Sequence, residues 1–282
     1  MRLSIIDKPK DKENIGLMQS YMEKKGYDLV TGLSKLATEI GGVTEAELER
    51  YFYGHSVEPR KIEKITSFVN SHIRKNQIIE TSNFNTIRES CNHAKKHRLC
   101  IAQIGYPGAG KTTALVAYYK GNQDTFYLQL RSSMNRKQVL SEILRVMGIK
   151  FSGNIFEMHR VIADELNSYS NALLIIDEAG KLCAASIHDL HDIRNATMHS
   201  TGIVLAGCEY FRDNMLKYAT RQRQGFPEFV SRIQEWIELN RPTKAEIEYM
   251  CKLGGITDKE TVRDIQSECR DFRAVDNYIK TL

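Results

Sequence analysis

No run of about 18 or more apolar residues occurs anywhere in the 282-residue chain, so no segment is expected to span a membrane. The opening MRLSIIDKPKDKEN lacks the apolar core of a signal peptide, and export is not expected. No two of the six cysteines form a C-x-x-C pair. They are scattered at positions 91, 100, 183, 208, 251 and 269, which predicts reduced thiols and a cytoplasmic location rather than a disulfide framework. Low-complexity segments and internal repeats are also missing, which argues against linkers and solenoid arrays. Neither sign of charge dominates. A net charge of +5 and a pI near 8.8 permit a polyanionic partner without requiring one.

What is present suits two or three modules with real cores: 41% hydrophobic residues beside 27% charged ones, at a mean hydropathy of −0.41. Residues 1–80 carry helical periodicity and almost no strand signal. Leu29, Leu33, Leu36, Ala37 and Ile40 share one helix face that ends at Gly41-Gly42. A second helix follows, with Thr44 and Glu47 as a capping box and Gly54 closing it, and a third repeats apolar residues at 62, 65, 68, 69 and 73. Short helices around a glycine turn predict a helix-turn-helix domain. Residues 81–98 read as a polar link running into the helix TIRESCNHAKKHR. From Leu99 to Asn240 the strands LCIAQI, TFYLQL, ALLIID, GIVLAG and RIQEWIEL alternate with amphipathic segments, which predicts a parallel α/β core over 81–240. Residues 241–282 read as a helical lid, entered through Pro242 and a Thr243/Glu246 capping box.

IGYPGAGKTT contains G-x-x-x-x-G-K-[ST] at Gly105–Thr112, preceded by a strand and followed by a helix. Its glycines let backbone N–H groups wrap phosphates at a positive helix N-terminus. Lys111 adds a point charge for the β- and γ-phosphates, and Thr112 a hydroxyl for Mg²⁺. The strand of NALLIIDEAG ends in Asp177, suited to the metal shell, and Glu178, suited to activating water as general base. Together these segments predict an ATP or GTP site with hydrolytic equipment. Cys208 ends the next strand, where a polar side chain senses the γ-phosphate; a thiol is a weak substitute, and small-thiol packing is the competing role. Arg232, with Arg221 and Arg223 as rivals, is a candidate to reach a neighbouring subunit's nucleotide. Arg273 is a candidate to fold over the phosphates from the lid.

The segments IGYPGAGKTT, ALLIIDEAGKL, HDLHDIRNATMHSTGIVLAGCEYF and FVSRI stand in the order and at the spacing of AAA+ ATPases. Over roughly residues 15–282 the chain resembles the Mu B-type transposition ATPases, with the TnsC and IstB proteins as relatives; STGIVLAGCEYFRDNM points to that branch. The resemblance implies an ATPase that binds double-stranded DNA with little sequence preference as ATP-dependent homo-oligomers or helical filaments. It would present the target to a transposase, activate it, and disassemble on hydrolysis. It implies ATP and Mg²⁺ as cofactors and no membrane partner. Carried over by position, Gly105, Tyr106, Pro107, Gly108, Ala109, Gly110, Lys111, Thr112 and Thr113 become the Walker A loop, with Asp177 and Glu178 as Walker B. Arg232 becomes the arginine finger and Arg273 the lid arginine; Cys208 departs from the family's usual polar residue, often asparagine.

Relatives contact DNA through loops in the region of LRSSMNRKQ, so Arg131, Ser132, Ser133, Asn135, Arg136 and Lys137 are the candidate DNA contacts. In the N-terminal domain the candidate recognition helix carries Glu45, Glu47 and Glu49 against one arginine, while EPRKIEKI and HIRKNQ are basic. DNA binding and protein docking therefore both stay open there. His93 and His97 share a helix face, but Cys100 should start a strand pointing away from them, which disfavours zinc. His188 and His191 are expected on an amphipathic helix packed through Ile187, Leu190 and Ile193. A helicase loader and a nucleotide-gated transcription regulator are the alternative functions; a small-molecule P-loop kinase is disfavoured by Glu178 and the helical lid.

Overall fold

The computed structural model describes residues 9–28, 32–73 and 78–281. Four helices open the chain: α1 (Pro9–Lys25), α2 (Gly32–Ile40), α3 (Glu45–Phe52) and α4 (Pro59–Phe68), the last running into a π turn at Val69–Ile73. Then come α5 (Ser82–His97), β1 (Cys100–Ile104), α6 (Lys111–Gly121), β2 (Thr125–Gln129), α7 (Arg136–Val146), α8 (Ile155–Asn167) and β3 (Ala172–Asp177). A 3₁₀ turn (Ala179–Lys181) leads to α9 (Ala184–Thr197), β4 (Thr201–Gly207), α10 (Glu209–Thr220), α11 (Phe226–Val230) and β5 (Glu235–Glu238). The chain closes with α12 (Lys244–Leu253), α13 (Lys259–Glu268) and α14 (Phe272–Thr281). The chain falls into two compact units, Met1–Ile78 with Glu248–Ile265 and Ile279–Leu282, and Ile79–Ile247 with Gln266–Tyr278; the division runs inside α12, α13 and α14.

In the first unit the expected helix faces are buried. Leu33, Leu36 and Ala37 of α2 pack with Leu48 and Tyr51 of α3, and with Ile65, Phe68 and Val69. Leu29, and Arg74 and Lys75 of the basic HIRKNQ segment, lie outside the described residues. Thr44 and Glu47 form the capping box, with Thr44 N–H donating to the Glu47 carboxylate at 2.8 Å.

In the second unit five parallel strands stand in the order β2-β3-β4-β1-β5. Side chains alternate across the sheet with the period of two that a strand imposes. Ala172, Leu174 and Ile176 join one core with α7, α8 and α9, whereas Leu173 and Ile175 join the other with Ile87 of α5 and Leu115 of α6. Each fully buried aliphatic side chain of this kind stabilises by about 1.5–3 kcal/mol, so both faces hold the sheet and its carboxyl ends are left to carry the site. The polar link expected from residue 81 is instead already helical. Thr81 accepts from Phe84 N–H at 3.2 Å, and α5 starts at Ser82, because this cap outweighs the polar composition of the first turn. Cys91 faces one core and Cys100 the other, so the sheet separates the two thiols. Burial pushes both thiols up to about 12.

Candidate nucleotide site

The loop between β1 and α6 is shaped by two left-handed glycines, Gly108 (φ 88°) and Gly110 (φ 85°). Gly110 is the N-cap of α6 and offers no side-chain acceptor, so the first turn of that helix presents its N–H groups without a side-chain cap. An added Cβ at Gly110 would meet nothing within 4 Å, whereas at Gly108 it would stand 2.5 Å from Asp271 Oδ1. Lys111 is buried, and its ammonium donates to the carbonyls of Gly105 at 2.6 Å and Tyr106 at 3.1 Å. Pro107, Thr112 and Thr113 are exposed, Ala109 buried.

Register brings the β3 end beside this loop. Asp177 is fully buried, and three donors converge on it: Thr112 Oγ1 at 2.7 Å and Tyr127 Oη at 2.9 Å on Oδ2, and Glu178 N–H at 2.8 Å on Oδ1. Burial first, and the Asp177 carboxylate next, hold the Tyr127 phenol well above its ordinary pKa, so at neutral pH it is a donor. A hydroxyl and a carboxylate meeting at the foot of an anion-binding loop are hard oxygen donors of the kind that Mg²⁺ takes together with phosphate oxygens. Glu178 adopts a left-handed backbone (φ 60°), and its partly exposed carboxylate lies 3.4 Å from Lys181 Nζ. Cys208, the N-cap of α10, has its sulfur 4.0 Å from Lys111 Nζ, so the expected sensor position does border the loop lysine.

Among the described residues the remaining candidates share no hydrogen bond or ion pair with this cluster. Arg232 is exposed and donates to Asn195 Oδ1 at 2.8 Å. Arg223 stacks on Tyr218 and Phe226, while Arg221 is the exposed C-cap of α10. Arg273 is exposed in the first turn of α14. In the loop after β2, Arg131, Ser132, Ser133 and Lys137 are exposed. Asn135 is occupied as the cap of α7, accepting from Gln138 N–H at 3.0 Å. Arg136 is a bidentate partner of buried Asp189, at 2.7 and 2.6 Å, with His159 Nε2 2.8 Å from the same carboxylate. Asn135 and Arg136 therefore shape the loop first. His93 lies 3.2 Å from Glu235, and His188 and His191 ride on α9 above buried Ile187, Leu190 and Ile193.

Sequence reasoning does not single out three further residues: Tyr127 lies in a predicted strand, Asp189 on the predicted amphipathic helix and Asn83 in the predicted polar link, and nothing local to each marks its partner.

Residues 93–215, spanning the loop, the β3 acids and Cys208, match the AAA domain family. The match covers the site and less than half of the chain. Its parallel sheet with helices on both faces is the AAA+ P-loop fold, and AAA domains bind nucleotide. The chain is similar to the ATP-dependent target DNA activator B of Escherichia phage D108, 23% identical over 209 residues; the match spans 72% of this chain and 65% of that relative, just under two thirds of its length. It also resembles the solved structure of a Walker-type ATPase of Pyrococcus abyssi, with a TM-score of 0.50 at 12% identity over 73% of this chain and 67% of that one, a likeness of fold. Among the described residues no helix of the AAA domain or its flanks is long and apolar enough to cross a membrane.

Proposed function

We propose that this protein is an ATPase that assembles on double-stranded DNA in its ATP form, with little sequence preference, presents that DNA to a transposase and activates it, and disassembles on hydrolysis. The observation that carries the reading is the meeting of Lys111, Thr112 and Asp177 at a helix N-terminus without a side-chain cap, with Glu178 next in the chain to Asp177. Similarity to a phage target DNA activator gives the switch its object.

In this reading Lys111 exchanges the Gly105 and Tyr106 carbonyls for β- and γ-phosphate oxygens. Thr112 and Asp177 would hold Mg²⁺, which would supply charge neutralisation at the phosphates. Glu178 leaves Lys181 to accept the proton of the attacking water, and Cys208 packs beside the lysine as a weak γ-phosphate sensor. Arg232 completes a neighbouring subunit's site, with Arg273 closing over the phosphates from residues 241–282. Arg131 and Lys137 supply the DNA-facing cations, with Ser132 and Ser133 donating to phosphate oxygens. The N-terminal helices, as a helix-turn-helix module, hold either DNA or a protein.

Electron microscopy of the protein with duplex DNA and a slowly hydrolysed ATP analogue tests this. Regular oligomers or filaments on DNA are expected with the analogue and not without nucleotide. Bare DNA under saturating analogue would sink the assembly reading.

A further inference from the structure

Asn83, the second residue of α5, is 2% exposed and ties α5 to two other backbone segments. Its Nδ2 donates to the carbonyls of Ala109 at 3.2 Å and Asn240 at 2.8 Å, and its Oδ1 accepts from Asn240 N–H at 3.0 Å. Ala109 sits in the phosphate loop between Gly108 and Gly110. Asn240 lies just past β5, where the chain turns towards α12.

Neighbouring bonds reinforce the same junction. The Tyr106 phenol donates to the Asn240 carbonyl at 3.0 Å, and burial pushes that phenol up to about 12, with nearby Arg241 pulling the other way. The Arg241 guanidinium lies 4.2 Å over the Tyr106 ring. Glu246 accepts from Ser82 N–H at 2.7 Å while capping Thr243 N–H at 2.7 Å. A carboxamide suits the centre of this junction because it supplies two donors and an acceptor from one short side chain. Aspartate would keep the acceptor and turn a second oxygen towards two carbonyls; alanine would leave three backbone groups, one buried and two part-buried, without this partner.

Asn83 reaches the phosphate loop at the Ala109 carbonyl and bonds to none of the side chains assigned to phosphate, metal or water. A phosphate loop, however, binds through backbone N–H groups whose directions must be set beforehand, and a loop held in one conformation loses less freedom on binding. We infer that Asn83 is a positioning residue of the nucleotide site, pinning the Ala109 turn of the phosphate loop to the Asn240–Glu246 segment so that nucleotide binding orders both together. This rests on the proposal that the loop binds ATP.

Hydrogen exchange on the wild-type protein, with and without a slowly hydrolysed ATP analogue, tests it first. Protection is expected at 105–113 and at 240–246 over the same range of analogue concentration. Protection of the loop alone overturns the inference and leaves ATP binding standing. No protection at either, with no binding of a fluorescent ATP analogue, overturns the nucleotide reading and this inference with it. Asn83→Ala and Asn83→Asp should then weaken the fluorescent analogue roughly tenfold or more, with faster exchange in both segments below the melting temperature. Ser90→Ala, which removes a hydroxyl bonded to Gln103 on β1, serves as the stability control and should lower the melting temperature without moving nucleotide affinity. Wild-type affinity in a folded Asn83 variant, or an equal affinity loss in Ser90→Ala, would reduce Asn83 to a structural part.

Discussion

Asp177 shows how one residue's surroundings define its chemistry. A fully buried carboxylate is costly unless hydrogen-bonded, and here a hydroxyl, a phenol and a backbone N–H satisfy it. Thr112 binds Asp177 from the phosphate loop, so the two oxygens are pre-placed for a cation, while Tyr127 fixes the carboxylate from β2. Tyr127→Phe removes that donor and leaves the ring. It should lower stability by about 1–3 kcal/mol in urea unfolding without nucleotide, and slow ATP turnover at limiting Mg²⁺. Unchanged unfolding would mean that Thr112 and the Glu178 N–H suffice. Lys111→Ala removes the cation held inside the loop. Binding of a fluorescent ATP analogue should be lost, and ATP-dependent DNA retention on a filter with it; wild-type DNA retention in ATP would refute nucleotide-gated assembly.

At the scale of elements, the loop from β2 to α7 divides its basic residues between two tasks. Arg136, itself exposed, anchors the start of α7 to Asp189 on α9, whereas exposed Arg131 and Lys137 make no ion pair among the described residues. The double variant Arg131→Ala/Lys137→Ala should keep its stability and weaken DNA binding evenly across sequences. Its salt dependence should flatten by roughly 0.9 log units for each DNA phosphate it no longer neutralises. Arg136→Ala should instead destabilise the fold, by about 1–3 kcal/mol once the partial exposure of its guanidinium is allowed for. Thermal melts beside salt titrations separate the two. A full salt-slope change in Arg136→Ala with no loss of stability would return that arginine to the DNA-binding set. The LRSSMNRKQ composition was legible as a basic polar loop, but the side chain held in an ion pair was not. That choice depends on Asp189, 53 residues away on another helix.

For the whole molecule, the question is whether one subunit is a complete enzyme. The Arg232 guanidinium of this chain donates to Asn195 and makes no bond with its own Lys111 or Asp177 among the described residues. Arg232→Ala should therefore bind ATP normally and lose DNA-stimulated hydrolysis by on the order of 10³-fold, measured by phosphate release. Glu178→Gln should give long-lived DNA complexes with little turnover. Mixing the two variants should restore part of the activity, because some interfaces then pair an intact Glu178 with an intact Arg232. If the mixture stays inactive while both variants co-assemble, those residues do not act across one interface; normal hydrolysis by Arg232→Ala would point to Arg221 or Arg223. What the sequence alone determined here is whatever is written within a short window: the phosphate loop, the acids ending an apolar strand, the five strands and the Thr44 and Thr243 caps, since periodicity and turn chemistry act over a few residues. Only the tertiary structure decided the strand order, the pairing of Arg136 with Asp189, the Tyr127 bond to Asp177 across 50 residues and the Asn83 bonds to Asn240 across 157. The Tyr127 and Asn83 bonds form where a parallel sheet brings distant strand ends to one edge, and a parallel ladder joins segments whose separation along the chain leaves no local pattern to read.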